Sequence, residues 1–296
     1  FTVDYSTAGQ SLSIVYSDAT KGWIPVSDDA VTDAPVTPPT QKAIFGYGID
    51  YVSMTNLVSS SGVVATDVSG VGTGRSFLGA ASYGGDKAIF GYGEISGGGV
   101  TSLTNLVNNS GVVAADVTGV GSARSNLTAA SYGTDKAIFG YGDLPGATAI
   151  TNLVSNSGVV ATDTAGVGST RYGLAATAYG TDKAIFGYGN TGSNTAITNL
   201  VSNVGVVATD TTGVGTARRY LAAAPYGTDK AIFGYGYTSG VVSMTNLVSN
   251  VGVVATDVSG VGTARGELSA APYGGDKAIF GYGNTGSVSS LTNLVN

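Results

Sequence analysis

One heptapeptide, Lys-Ala-Ile-Phe-Gly-Tyr-Gly, recurs six times and constrains the possible folds more than any other feature of the chain. Its copies begin at Lys42, Lys87, Lys136, Lys183, Lys230 and Lys277, at intervals of 45, 49, 47, 47 and 47 residues. A second string, Thr-Asn-Leu-Val, follows each copy in step. A fixed period of this length indicates a repeat architecture, in which each unit buries apolar surface against its neighbours.

Each period contains four short runs with the composition of β-strands. In the unit around Lys230 they span 221–226, 230–235, 244–248 and 251–256, and Gly, Asp, Asn or Ser separates each run from the next. No run has the length or the 3.6-residue period of a helix. Four strands in about 47 residues predict an all-β fold and are typical of a β-propeller blade.

The number of units predicts six blades, with five as the alternative. The last unit reaches Asn296 without a fourth run, and Gly22-Trp-Ile-Pro-Val-Ser-Asp28 resembles the missing Gly-Val-Val-Ala-Thr-Asp. An N-terminal strand completing the last blade would remove an open sheet edge. Pro38-Pro39 is a poor inner strand for the first unit, which leaves five blades open. The predicted division is an N-terminal β segment, 1–40, and propeller repeats, 41–296.

Composition excludes several classes of function. Cys and His are both absent, so disulfides, thiolate zinc sites, haem on His and Ser-His or Cys-His nucleophiles are impossible. A net charge of −6 disfavours binding to a phosphate backbone, and the apolar runs are too short to span a bilayer. We therefore expect neither nucleic-acid binding nor membrane insertion. The start at Phe1 is expected of a processed product or a fragment.

The charged residues mostly recur once per unit, which favours structural roles. They are the Asp-Lys pair before five of the six Ala-Ile-Phe strings, an Arg at 75, 124, 171, 218 and 265, and an Asp at 67, 116, 163, 210 and 257. Buried ion pairs and turn capping explain such copies, and one carboxylate per unit is too few for calcium. Outside the repeat pattern and the N-terminal segment, the remaining carboxylates are Asp50, Glu94, Asp143 and Glu267. We expect no metal, no cofactor and no enzymatic activity.

Two resemblances follow from these motifs. The string from Arg218-x-x-Leu221 to Tyr226-Gly-Thr-Asp-Lys230-Ala-Ile-Phe-Gly-Tyr-Gly resembles a kelch blade, with Gly-Tyr-Gly where kelch has paired glycines and Val-Val where it has Trp. This likeness covers about residues 42–296 and implies a propeller. The unit is also similar to repeats in structural and tail-fibre proteins of marine tailed phages, which implies a virion, extracellular setting.

Residues that break the repeat are the candidates for binding. One set follows the recurrent Arg: Ser76-Phe77, Ser125-Asn126, Tyr172-Gly173, Arg219-Tyr220 and Gly266-Glu267. The other set is the loop after Gly-Tyr-Gly, at 49–54, 94–103, 143–150, 190–197, 237–244 and 284–291. Loops that vary on a rigid frame usually carry binding, with neutral drift as the alternative. The two sets could lie on the same face or on opposite faces.

The side chains in the first set favour a sugar ligand. The candidate ligand-binding residues are Phe77, Asn126, Tyr172, Arg219, Tyr220 and Glu267. Aromatic faces stack on apolar surface, while amide, guanidinium and carboxylate groups bond hydroxyls. The sequence thus predicts a non-enzymatic tail-fibre module that binds a host-surface glycan or receptor, contacts other virion proteins and is able to form a homo-oligomer. The alternatives are a purely architectural component of a virion or extracellular appendage, and a secreted bacterial lectin or adhesin.

Overall fold

The computed structural model describes residues 12–18, 22–28 and 42–296, and the chain divides into two compact units, Phe1–Pro38 and Pro39–Asn296. In the first unit, Leu12–Asp18 pairs antiparallel with Gly22–Asp28. Completion of the last blade by Gly22–Asp28 stays a prediction. Pro38-Pro39 lies outside the described residues. None of the described residues forms a helix long and apolar enough to cross a membrane.

The second unit is built from antiparallel sheets, one for each copy of the repeat, which confirms the all-β repeat architecture. Repeat 1 has two strands, Ala43–Gly48 and Val52–Val58, joined by the 3₁₀ turn Ile49–Tyr51. Repeats 2–6 have three strands each, called first, second and third below. They are Gly79–Tyr83, Lys87–Gly91 and Thr104–Val107; Thr128–Tyr132, Lys136–Gly140 and Thr151–Val154; Ala175–Tyr179, Lys183–Gly187 and Thr198–Val201; Ala222–Tyr226, Lys230–Gly234 and Thr245–Val248; and Ser269–Tyr273, Lys277–Gly281 and Thr292–Val295. A small additional sheet joins Arg75–Ser76, Glu94–Ile95 and Gly99–Val100.

The predicted fourth run pairs with the third strand through isolated bridges rather than a continuous ladder. In repeat 3, Val160 bridges Val154 and Thr164 bridges Thr151. Repeats 1, 2, 4 and 5 have the same two bridges. We call residues 158–164 of repeat 3, and the equivalent residues of these four repeats, the outer segment. In the last repeat the third strand, Thr292–Val295, is more exposed than its counterparts.

Successive repeats pack through a glycine and a phenylalanine of their second strands. A Cβ at Gly140 would lie 2.6 Å from the Phe186 ring of the next repeat, so only glycine lets the two strands approach this closely. The equivalent pairs are Gly46/Phe90, Gly91/Phe139, Gly140/Phe186, Gly187/Phe233, Gly234/Phe280 and Gly281/Phe45. The sixth pair joins the last repeat to the first. The same contact recurs at every junction because the Ala-Ile-Phe-Gly-Tyr-Gly string recurs.

Candidate functional site

A buried arginine ties each of repeats 2–6 together. The Arg124 side chain is 0% exposed; its Nε donates to the Tyr141 carbonyl at 2.9 Å, and its Nη2 donates to Asn152 Oδ1 at 2.7 Å. Its guanidinium lies 4.3 Å from the centre of the Tyr92 ring in the preceding repeat, a cation–π contact. Desolvation lowers the pKa of Arg124. These contacts give the recurrent arginines a structural role.

The recurrent aspartate closes the same network at the outer segment. Asp163 accepts hydrogen bonds from the Ser122 amide at 3.1 Å, the Ser122 hydroxyl at 2.6 Å and Asn152 Nδ2 at 2.9 Å. Burial raises the pKa of Asp163, but these hydrogen bonds and Arg124 outweigh it and hold the pKa below its usual value. Among the described residues, no group of three acidic side chains is placed to hold a metal ion.

The second residue after each recurrent arginine occupies an unusual conformation. Phe77, Asn126, Gly173, Tyr220 and Glu267 all have φ between 52° and 60°, the left-handed region that favours glycine. Main-chain hydrogen bonds join them in order: each amide donates to the carbonyl of the preceding member, over distances of 2.6 to 2.9 Å. Five residues that lie about 47 positions apart in sequence are therefore direct neighbours. We call these five residues the central row.

The two variable sets lie at the same end of the strands. The Ser125 amide donates to the Asp143 carbonyl at 2.9 Å and the reverse bond is 2.7 Å, so the residue after the arginine pairs with the loop after Gly-Tyr-Gly. The other repeats have equivalent pairs, namely Ser76/Glu94, Tyr172/Asn190, Arg219/Tyr237 and Gly266/Asn284. This resolves the question that the sequence leaves open. We call this surface the variable end.

The opposite end of the strands carries residues that recur. There the Tyr-Gly-x-Asp turns join first and second strands, and lysines pair with the preceding aspartates, as in Lys183–Asp182 at 2.9 Å. A depression of about 200 Å³ at this end is lined by these turns from five repeats. The same tyrosine position lines this depression in repeats 2, 4 and 5. The side chains of the depression therefore differ less from repeat to repeat than those of the variable end.

The structure gathers most of the predicted site residues into one cluster. The Tyr172 and Tyr220 ring centres lie 6.4 Å apart, and the Arg219 guanidinium lies 5.6 Å from the Tyr220 ring. Asn126 and Glu267 reach the cluster through the central row. Phe77 also belongs to the row and is 41% exposed, but no ring contact joins it to the tyrosines among the described residues.

Sequence reasoning did not single out two residues of this cluster. The Tyr237 ring centre lies 6.2 Å from that of Tyr220, and Asn194 Oδ1 accepts from Arg219 Nη1 at 3.3 Å. Both belong to the variable loops after Gly-Tyr-Gly, and their place in these loops was the sequence feature that could have indicated them. Only the pairing of this loop with the residues after the arginine brings Tyr237 to Tyr220.

Hydroxyl groups distinguish the constant tyrosines from the variable ones. In repeats 1–5 the Gly-Tyr-Gly hydroxyls donate to the carbonyls of Val71, Val120, Val167, Val214 and Val261. Within the part of the chain that the structure describes, the hydroxyls of Tyr172, Tyr220 and Tyr237 have no hydrogen-bond partner. The variable tyrosines thus leave polar groups unused, as a binding surface requires.

Comparison with protein-family models and with curated proteins finds no match to this chain. The likeness to kelch blades and to phage tail-fibre repeats is therefore still a prediction from the sequence.

Proposed function

We propose that residues 42–296 form a six-bladed, kelch-like β-propeller, a non-enzymatic module of a phage tail fibre that binds a host-surface glycan through its variable end. Closure is supported by the contacts between the last and first repeats. The rings of Phe45 and Tyr282 meet edge-on at 5.2 Å, as Phe186 and Tyr141 do inside the chain at 5.0 Å. The strand Ser269–Tyr273 of repeat 6 also lies beside the strand Ala43–Gly48 of repeat 1.

The convergence of the two variable sets carries the binding proposal. Substitutions that drift without selection would be scattered over all exposed positions. Here the largest changes, such as Phe77, Tyr172 and Glu267, concentrate at one end, where main-chain bonds hold them side by side, while the opposite end varies between small residues, as at Gly85 and Thr134. Aromatic rings with adjacent amide, guanidinium and carboxylate groups match the mixed apolar and hydroxyl surface of sugars.

A binding assay on the whole chain tests this proposal. The protein is presented to panels of cell-surface polysaccharides and to intact bacteria, beside a variant with Phe77, Tyr172, Arg219 and Tyr220 changed to Ala. A control variant changes Lys87, Lys136, Lys183 and Lys277 at the opposite end to Ala. We expect saturable binding that the first variant loses and the control keeps, with both folded by circular dichroism. A folded parent that binds no surface would refute glycan recognition.

A second candidate, an architectural component that docks to other protein chains, is favoured by one observation. The outer segments of repeats 1–5 expose a valine at the same position in each repeat: Val63, Val112, Val159, Val206 and Val253, between 61% and 65%. A regular row of exposed aliphatic side chains fits a protein contact surface. Sedimentation of the parent and of a variant with these valines changed to Thr separates the two functions, since only docking predicts association that the variant loses.

A further inference from the structure

The central row contains a buried polar atom that nothing in the described residues satisfies. Asn126 Oδ1 is buried and accepts no hydrogen bond, and Nδ2 makes one long bond of 3.4 Å to Ser125 Oγ. The structural Asn152 differs, because its Oδ1 accepts from Arg124 and its Nδ2 donates to Asp163. An unpaired buried acceptor is unfavourable, so a ligand that donates to Asn126 Oδ1 would recover the lost hydrogen bond.

The row also keeps side chains where glycine would fit better. Left-handed backbone is strained for a non-glycine residue, and Gly173 shows that glycine is accepted in the row. The Gly-Tyr-Gly tyrosines have the same conformation, but they are mostly buried and stacked, which offsets the strain. Phe77 and Glu267 are exposed, so burial offers no such compensation. Exposed Thr134 at the opposite end has the same conformation, so this strain supports the subsite only together with the unpaired Asn126 Oδ1.

Tyr220 forms an aromatic platform in the middle of the row. A Cβ at Gly173 would lie 3.0 Å from Tyr220 Cε1, so the Tyr220 ring leans over Gly173, the neighbour of Asn126. A Cβ at Gly266 would overlap the Tyr237 ring, which shows that this glycine makes room for the second tyrosine. Gly173 thus makes room for the Tyr220 ring and Gly266 for the Tyr237 ring, and the two rings meet edge-on at an interplanar angle of 88°.

The charges around this platform favour a neutral ligand. Arg219 is held by Asn194, and Asn194 Nδ2 in turn donates to the carbonyls of Tyr237 and Thr238 at 3.1 Å. The carboxylates of Asp143 and Glu267 lie close enough to act electrostatically on Tyr220. One guanidinium faces two carboxylates, so an acidic sugar would meet net repulsion.

We infer that Asn126 and Tyr220, with Tyr172 beside them, form a subsite for one neutral sugar ring. The apolar face of the sugar stacks on Tyr220, and one sugar hydroxyl donates to Asn126 Oδ1. The free hydroxyls of Tyr172 and Tyr220 bond further sugar oxygens. This inference rests on the proposed glycan-binding function and names the class of sugar and the residues that select it.

The test compares two substitutions to glycine, each at a position where another repeat already has glycine. Asn126→Gly reproduces Gly173 in the row, and Thr134→Gly, at the opposite end with φ 69°, reproduces Gly85 of repeat 2. Both changes relieve left-handed strain, so both variants are expected to fold. The probes are methyl glycosides of glucose, galactose and mannose, with glucuronic and galacturonic acids as charged counterparts. Binding is followed by saturation-transfer NMR and calorimetry on the full chain.

We expect at least one neutral glycoside to bind more tightly than its uronic acid, and Asn126→Gly to weaken it about tenfold while Thr134→Gly leaves it unchanged. Unchanged binding in Asn126→Gly, or tighter binding of the acids, overturns the subsite. Polysaccharide and cell binding by the same proteins separates the two proposals. If parent and Asn126→Gly bind surfaces equally well, the subsite is wrong and the glycan function stands. If the parent binds no carbohydrate, both are wrong.

Discussion

Arg218 and Arg219 are adjacent in the sequence and belong to two different parts of the molecule. Arg218 is fully buried, donates to the Tyr235 carbonyl at 2.8 Å and to Asn246 Oδ1 at 2.7 Å, and lies 4.3 Å from the Tyr188 ring. Arg219 faces the variable end and makes one longer bond, to Asn194. Side chains that are identical between repeats, such as Arg218, belong to the buried network. Side chains that differ between repeats, such as Arg219, lie outside this network.

The largest expected difference in stability is between substitutions of these two arginines. Arg218→Leu should lower the free energy of unfolding by about 3–5 kcal/mol, because it leaves Asn246 Oδ1 and the Tyr235 carbonyl without their donor inside the protein. Arg219→Leu should change it by less than about 0.5 kcal/mol. Urea unfolding of both variants measures the difference, and equal losses would contradict the division into two parts.

A second pair of variants adds one methyl group to each part. Gly140→Ala places a Cβ against Phe186 and should cost about 1–3 kcal/mol through overpacking. Gly240, in a variable loop, has nothing within 4 Å of a Cβ, so Gly240→Ala should be neutral or slightly stabilising. Thermal unfolding followed by circular dichroism reports both changes. A destabilised Gly240→Ala would show that the loop is packed more tightly than the structure indicates.

Removal of one hydroxyl should have different effects at a tyrosine that recurs in every repeat and at a variable tyrosine. Tyr188→Phe deletes the bond to the Val214 carbonyl, 3.1 Å long, and should cost about 1 kcal/mol. Tyr172→Phe should leave stability unchanged and weaken sugar binding. Burial raises the pKa of Tyr188 to about 12, so its ionisation, followed by ultraviolet absorbance, should disappear from the most alkaline part of the titration in Tyr188→Phe.

The smallest expected effect is a dependence on pH. The pKa of Asp163 in the folded protein is lowered, so its hydrogen bonds stabilise the fold above the unfolded value of about 3.9 and are lost as pH falls through the folded value. Asp163→Asn should cost less than about 1 kcal/mol at pH 7, because the carboxylate is partly exposed, and the difference should vanish near pH 2. Denaturant unfolding at both pH values, with Glu267→Gln as the control, checks this.

The repeat, the strand class and the structural role of the arginines and aspartates could be predicted from the sequence. The Ala-Ile-Phe-Gly-Tyr-Gly string fixes a buried strand with a close-approach glycine, and turn residues mark its ends. The fourth run was less predictable, because its composition does not show that it meets the third strand only at two isolated bridges, such as Val154–Val160 and Thr151–Thr164. The convergence of Tyr220 and Tyr237 was unpredictable for the same reason. Which loop meets which strand end is decided by pairing across about 17 residues, not by local sequence.

The central row is held by amide and carbonyl groups, and this has a consequence for how such a surface changes over generations. Because the main chain forms the bonds, replacing one side chain in the row leaves every bond in place, provided the new residue accepts the left-handed conformation. A change of side chain in one repeat therefore leaves the main-chain bonds of the other repeats intact. The proposed binding surface can change one repeat at a time while the sheets that carry it stay the same.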